Sequence, residues 1–129
     1  MNLEAIELKA FIPARDLRLS QAFYRDLGFN MPWSSDELAY FYAGPCSFLL
    51  QKASHREHTL RLRMHLLVED VDAWWNHVCV QCLSEKYEVN TQPPADCPWG
   101  VREFEISDPS GVTWRIGTSL AMLRNRNGS

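Results

Sequence analysis

Two tryptophans stand where an aromatic ring can meet a ligand. Trp99 closes the run Pro93-Pro94-Ala95-Asp96-Cys97-Pro98-Trp99-Gly100, and Trp33 follows Met31-Pro32. A proline-stiffened loop presents an indole at a cleft rim at little entropic cost, and the indole face takes both flat rings and cations. Trp99 has a second reading, as an anchor of its own loop, and the residues alone leave both open. Tyr40 and Tyr42, two apart, share one face of a strand and can line the same cleft, whereas Phe41 and Phe48 read as core. Other constellations carry less. Cys79-Val80-Gln81-Cys82 has the C-x-x-C spacing, but no second pair follows and the context is helical, so reduced, packed thiols are expected. His77 reads as a solvated helix residue, and His55 and His58 fall in a polar stretch. No nucleophile elbow, phosphate loop, metalloprotease helix or catalytic triad is present.

Positioning these residues requires strands, and the pattern supplies them twice. Glu7 to Phe11 alternates as a strand, Asp16 caps a helix over about 17–27, and Gly28 ends it. In the second half Leu60 to Val68 is the strand, and Asp70 or Asp72 caps a helix carrying Trp74, Trp75, Val78 and Cys79; both tryptophans are expected in packing or on a dimer surface. Short strands follow each helix: Glu37 to Tyr42 and Cys46 to Gln51, then Tyr87 to Thr91, Val101 to Ser107 and Val112 to Gly117. Asp108-Pro109-Ser110-Gly111 turns the last pair, because proline presets φ and Gly111 supplies positive φ. The predicted fold class is α+β, two βαβββ modules over about 5–52 and 60–117. A linker covers 53–59, and a short helix or frayed tail covers 118–129, disordered from Asn125 onward.

Composition bounds the function. A chain of 129 residues with ordinary apolar and charged fractions makes one globular domain. A net charge of −3 without a basic stripe excludes a nucleic-acid partner. Apolar runs are strand-length and the first residues are acidic, so neither a membrane span nor a signal peptide is expected, and the location is cytoplasmic.

Taken together, the segments F-I-P-A-R-D-L-R-L-S-Q-A-F-Y-R-D-L-G-F, P-W-G-V-R-E-F-E-I-S-D-P-S-G and the hairpin Phe104 to Ile116 resemble the vicinal-oxygen-chelate superfamily of glyoxalases, bleomycin-resistance proteins, fosfomycin-resistance enzymes and extradiol dioxygenases. The resemblance runs from about Glu7 to Gly117. It implies that the modules form a glyoxalase-like cleft or barrel, assembled as a homodimer.

The resemblance also implies a site map. Metal-dependent members place a ligand seven residues before each helix-capping Asp; those positions here are Lys9 and Arg63. The usual last-strand glutamate, seven residues after the Asp of the turn, is Arg115, and the remaining ligand position maps to Leu49 or Gln51. Cationic donors have no lone pair to offer, so no metal and no cofactor are expected. Parity adds Phe11 beside Lys9, and His65 beside Arg63. The resemblance to fosfomycin-type proteins puts Glu103 and Glu105 on the cleft side, with Phe104, Ile106, Trp114 and Ile116 as core. The cations and carboxylates either pair with one another or exchange a partner for a charged ligand.

The expected function is metal-free binding and sequestration of a small molecule, a drug or metabolite, in the manner of bleomycin-resistance proteins. Its expected ligand-binding residues are Lys9, Phe11, Trp33, Tyr40, Tyr42, Gln51, Arg63, His65, Trp99, Glu103, Glu105 and Arg115. A planar aromatic or cationic antibiotic suits them, although Lys9, Arg63 and Arg115 would equally take a carboxylate. The alternative is a glyoxalase-like lyase, transferase or isomerase, with Glu103 as a base beside arginines. No catalytic residue is assigned.

Overall fold

The computed structural model describes residues 1–53 and 62–127, and the chain divides into two compact units, Met1–Thr59 and Leu60–Ser129. In the first unit β1 (Ala10–Ala14), α1 (Leu17–Leu27), β2 (Asn30–Ser34), β3 (Leu38–Ala43) and β4 (Cys46–Lys52) follow one another. The strands make one sheet in the order β1-β4-β3-β2, with β1 parallel to β4 and the other neighbours antiparallel. The second unit repeats the plan with β5 (Arg63–Leu67), α2 (Val71–Val80), α3 (Leu83–Tyr87), β6 (Thr91–Asp96), β7 (Val101–Ser107), β8 (Thr113–Ser119) and α4 (Leu120–Asn127). Its sheet runs β5-β8-β7-β6, again with one parallel pair, β5 and β8. The fold is α+β, a βαβββ unit used twice.

Local chemistry explains the elements. Asp16 caps α1 by accepting the Leu19 N–H at 3.1 Å, and Gly28, at φ 127, ends it with its N–H turned back to the Tyr24 and Arg25 carbonyls. Leu17, Ser20, Phe23, Tyr24 and Leu27 recur at helical spacing and form its buried face. Tyr24 meets Phe48 edge-on at 4.9 Å between ring centroids, and Phe41 stacks on Phe48 at 5.2 Å, so α1 and the sheet close over one aromatic core. Asp70 caps α2 through the Ala73 N–H, and Trp75 meets Phe104 at 5.2 Å. Thr118 ties α2 to the sheet: its hydroxyl accepts the Val71 N–H and donates to the Val68 carbonyl, both at 2.9 Å.

Several boundaries differ from the sequence reading. The first strand is Ala10–Ala14, not Glu7 to Phe11, because the parallel ladder pairs Ala10 with Phe48 through Ala14 with Lys52. Pro13 is tolerated there because β1 is an edge strand. Tyr87 to Thr91 is not a strand: the short helix α3 ends at Tyr87, and β6 begins at Thr91 and runs through Pro93 and Pro94. It too is an edge strand, with its register broken between Gln92 and Ala95. The stretch after Gly28 contains the unanticipated β2, so Trp33 lies on a strand, opposite Tyr40, rather than on a loop. Helix α4 extends to Asn127, past the point where disorder was expected. Cys46, Cys79 and Cys82 are free but exposed rather than packed, since Cys79 and Val80 lie on the uncovered side of α2. His55, His58 and most of the expected linker lie outside the described residues.

The Asp108 turn is built around a buried carboxylate. Asp108 is 2% exposed and accepts the Ser110 and Val112 N–H groups at 2.8 and 2.9 Å, while Gly111 takes φ 95. Asp108→Ala leaves both donors buried without this acceptor and is expected to cost about 2 to 3 kcal/mol in urea denaturation. Asp108→Asn, which keeps one acceptor oxygen, is expected to cost less.

Candidate functional site

Each sheet has one face closed by its helix and one left open, and the open faces hold the sequence-predicted residues. In the first unit the open face carries Phe11 from β1, Trp33 from β2, Tyr40 and Tyr42 from β3, and Leu49 and Gln51 from β4. Phe11 is 58% and Trp33 51% exposed, and the two tyrosine rings lie 6.2 Å apart. Lys9 precedes the strand, yet its ammonium reaches this face, 5.6 Å from the Tyr40 ring centroid.

The partner of Lys9 is Glu7, a residue the sequence reading did not select. Its carboxylate pairs with Lys9 at 2.7 Å and accepts the Tyr40 hydroxyl at 2.8 Å and the Ser47 hydroxyl. The spacing of two between Glu7 and Lys9 was the available signal. Lys9 foremost, then Ser47 and Tyr40, hold the Glu7 carboxyl down at about 2, and the bond to Glu7 in turn raises Lys9 and Tyr40.

In the second unit the register sets the face. His65, Arg115 and Glu105 make one cross-strand row, and Leu67, Gly117 and Glu103 the next. Arg63 lies further along β5, exposed and without an ion pair among the described residues. Gly117 matters for what it lacks. A Cβ there would fall 2.7 Å from the Glu103 Cβ and the Arg102 carbonyl, so the missing side chain leaves the place that Glu103 occupies.

Glu103 is 7% exposed. One carboxylate oxygen, Oε1, accepts the Trp99 indole N–H at 2.6 Å. The other, Oε2, has no hydrogen-bond partner, and His65 Nε2 stands 3.8 Å from it. Trp99 is therefore anchored by its edge while its ring remains 60% exposed, with the Arg115 guanidinium 5.9 Å from the ring centroid. Arg115 also pairs with Glu105 at 3.5 Å. Beside Trp99, Cys97 completes the wall, its thiol pushed up first by burial and then by Glu103. Together with Gln92, Pro93 and Ala95 these residues enclose a hollow of about 280 Å³.

A larger hollow, about 800 Å³, lies in the first unit between the start of α1 and the Ser34–Glu37 turn. It is walled by Arg15, Arg18, Lys52 and the acids Asp16, Asp36 and Glu37, without an aromatic ring. The smaller hollow, with an indole and a half-satisfied buried carboxylate, is the better candidate site. Arg102 serves the frame instead, bridging Asp72 of α2 at 3.0 Å and Asp96 of β6 at 3.2 Å.

This architecture has known counterparts. Residues 8–116 match the glyoxalase/bleomycin resistance protein/dioxygenase superfamily, and the chain belongs to it. Among solved structures, the bleomycin-binding protein from Streptomyces verticillus complexed with copper(II)-bleomycin is similar, at 18% identity and a TM-score of 0.76, over 92% of this chain and 99% of that one. An antibiotic-binding protein from a Streptomyces species gives 22% identity and a TM-score of 0.71, over the same shares of the two chains. Lactoylglutathione lyase from Agrobacterium tumefaciens gives 22% and 0.67, over 93% of this chain and 98% of that one. At these identities the likeness is one of fold. No curated protein matches the chain in sequence.

Among the described residues no cluster of three His, Cys, Asp or Glu side chains is arranged to hold a metal ion. Lys9 is committed to Glu7, and Arg115 to Glu105 and the Trp99 ring, so the donors at these positions do not fit a divalent cation. No described helix is long and apolar enough to cross a membrane.

The Glu7 cluster titrates in a defined direction. Because its carboxyl is depressed in the folded chain, the stability it contributes is present above the ordinary value of 4.5 and is lost as pH falls toward about 2. Carboxyl-carbon NMR is expected to place the Glu7 midpoint near 2, and Lys9→Ala to move it up toward 4.5.

Proposed function

We propose that this chain binds and sequesters a small molecule, a drug or metabolite, without a metal, in the manner of bleomycin-resistance proteins. The observation that carries the reading is Trp99: its N–H is fixed to Glu103 and its ring is left 60% exposed in a hollow. An indole held by its edge loses little freedom when a flat ligand stacks on its face. The ligand-contacting set is the one read from the sequence. In the first unit it comprises Lys9, Phe11, Trp33, Tyr40, Tyr42 and Gln51; in the second, Arg63, His65, Trp99, Glu103, Glu105 and Arg115.

Exposed Phe11, Trp33 and Leu67 leave apolar surface for a second copy of the chain to cover, and an isologous homodimer is part of the proposal. The free cysteines suit a reducing, cytoplasmic setting.

The test is a tryptophan-fluorescence and thermal-shift titration of chelator-treated protein with glycopeptide and planar aromatic antibiotics, with divalent metals run alongside. Saturable, metal-independent quenching is expected. Trp99→Ala should weaken such binding by about 1 to 3 kcal/mol. A melting temperature raised by a divalent metal, or binding that needs one, would overturn the proposal in favour of a metal enzyme.

A further inference from the structure

We propose that Cys79 and Cys82 form a redox modification site, a dithiol that a low-molecular-weight disulfide converts into an intrachain disulfide across the C-terminal turn of α2. The pair stands apart from the ligand hollow. Helix α2 covers the closed face of the second sheet, whereas the hollow beside Trp99 lies on the open one.

The backbone already holds the two cysteines at bridging distance. The Cys82 N–H donates to the Cys79 carbonyl at 3.1 Å, which makes residues 79–82 a hydrogen-bonded reverse turn. The Cα atoms at the ends of such a turn lie less than about 7 Å apart, and disulfides span Cα atoms about 4.4 to 6.8 Å apart. Cys82 Sγ is turned back over the turn, 3.9 Å from the Val80 carbonyl oxygen, and so points at the segment between the two cysteines. Both thiols are free and exposed, open to a dissolved oxidant and not locked by packing.

Cys82 also occupies a backbone state that its residue type disfavours. Its φ of 53 and ψ of 43 are left-handed, a conformation ordinarily taken at a helix end by glycine or asparagine. Among the described residues only Glu88 shares it without being glycine. The side chain does no local work that would offset this strain, because it caps no amide of α3. Packing does not call for it either: Val78 and Leu83 make the buried contacts on either side, and residues 79–82 are all exposed. A strained residue kept without a packing or capping role marks a position held for its chemistry, here a second thiol at turn spacing from the first.

The exchange balances. One thiol, as thiolate, attacks glutathione disulfide and forms a mixed disulfide, releasing one glutathione. The second thiol attacks the cysteine sulfur of that mixed disulfide, closes the ring and releases the other glutathione. Two electrons pass from the protein dithiol to the S–S bond of the oxidant, and the two thiol protons end on the two glutathione thiols.

The experiment equilibrates the full reduced chain, free of oxygen, in glutathione buffers of stepped thiol-to-disulfide ratio. Remaining thiols are trapped with N-ethylmaleimide, and intact masses and peptide maps are read. The expected product lacks two hydrogens and two maleimide labels, has its cross-link between Cys79 and Cys82, and reverts with dithiothreitol. Because closure is intramolecular, it is expected at about tenfold or more lower glutathione disulfide than a mixed disulfide on the exposed, single Cys46 requires. Cys79→Ser and Cys82→Ser, both at exposed positions, should each stop closure and leave a glutathione adduct on the remaining cysteine. A cross-link to Cys46, to Cys97 or to a second chain would overturn the proposal. So would stable glutathione adducts on both Cys79 and Cys82, or thiols that stay reduced until Cys46 is modified.

Discussion

Each sheet in this protein is buried on one face only, and that constraint organises everything else. Helix α1 and the Phe41–Phe48 stack close one side of the first sheet, and α2 with Phe104, Ile106, Trp114 and Ile116 closes one side of the second. Strand geometry sends alternate side chains to opposite faces, so every residue not used in the core is delivered to the open one. The charges and rings on the open faces are there because parity leaves them no other place. The parallel pairs β1–β4 and β5–β8 then set which of them become neighbours.

The open faces resolve their carboxylates in opposite ways. Glu7 has an ammonium and two hydroxyls, so its charge is fully engaged, and its carboxyl holds its proton only in strong acid. Glu103 takes the Trp99 N–H on one oxygen, and its second oxygen is buried without a hydrogen-bond partner. A satisfied carboxylate rigidifies its surroundings; a half-satisfied one leaves a buried acceptor uncompensated. Gly117 sustains the difference, because a side chain at that position would push into the Glu103 Cβ.

Much of the fold was legible in the sequence because the signals were local. Asp16 and Gly28, Asp70, and the Asp108 turn act within a few residues of themselves, and the alternation of Phe104, Ile106, Trp114 and Ile116 against Glu103, Glu105 and Arg115 marks the two faces directly. The edges were not legible. Strands β2 and β6 carry Pro32, Pro93 and Pro94, which argue against a strand unless its position at a sheet edge is already known. Strand β1 is placed by its ladder with β4, a pairing no local pattern reveals. At the site, the family resemblance together with strand parity brought His65, Arg115, Glu103 and Glu105 to one face; Glu7 shares the parity of Lys9 and Phe11 in the expected strand but was passed over, because the hydroxyls that single it out, Tyr40 and Ser47, come from β3 and β4. The dual part of Trp99, anchor and open ring, requires the 2.6 Å bond to be seen.

The pairing of β5 with β8 joins residues as far apart in sequence as Arg63 and Thr113, whereas β7 and β8 are joined by the tight turn at Asp108. Closing a long loop costs more chain entropy than closing a short one, so the β5–β8 ladder carries a larger closure cost than the β7–β8 hairpin. Glu103 and Arg115 share a face through that hairpin, and His65 joins them through the distant β5 pairing. The open face of the second sheet thus combines a pair joined by a local turn with a neighbour supplied by a long-range ladder.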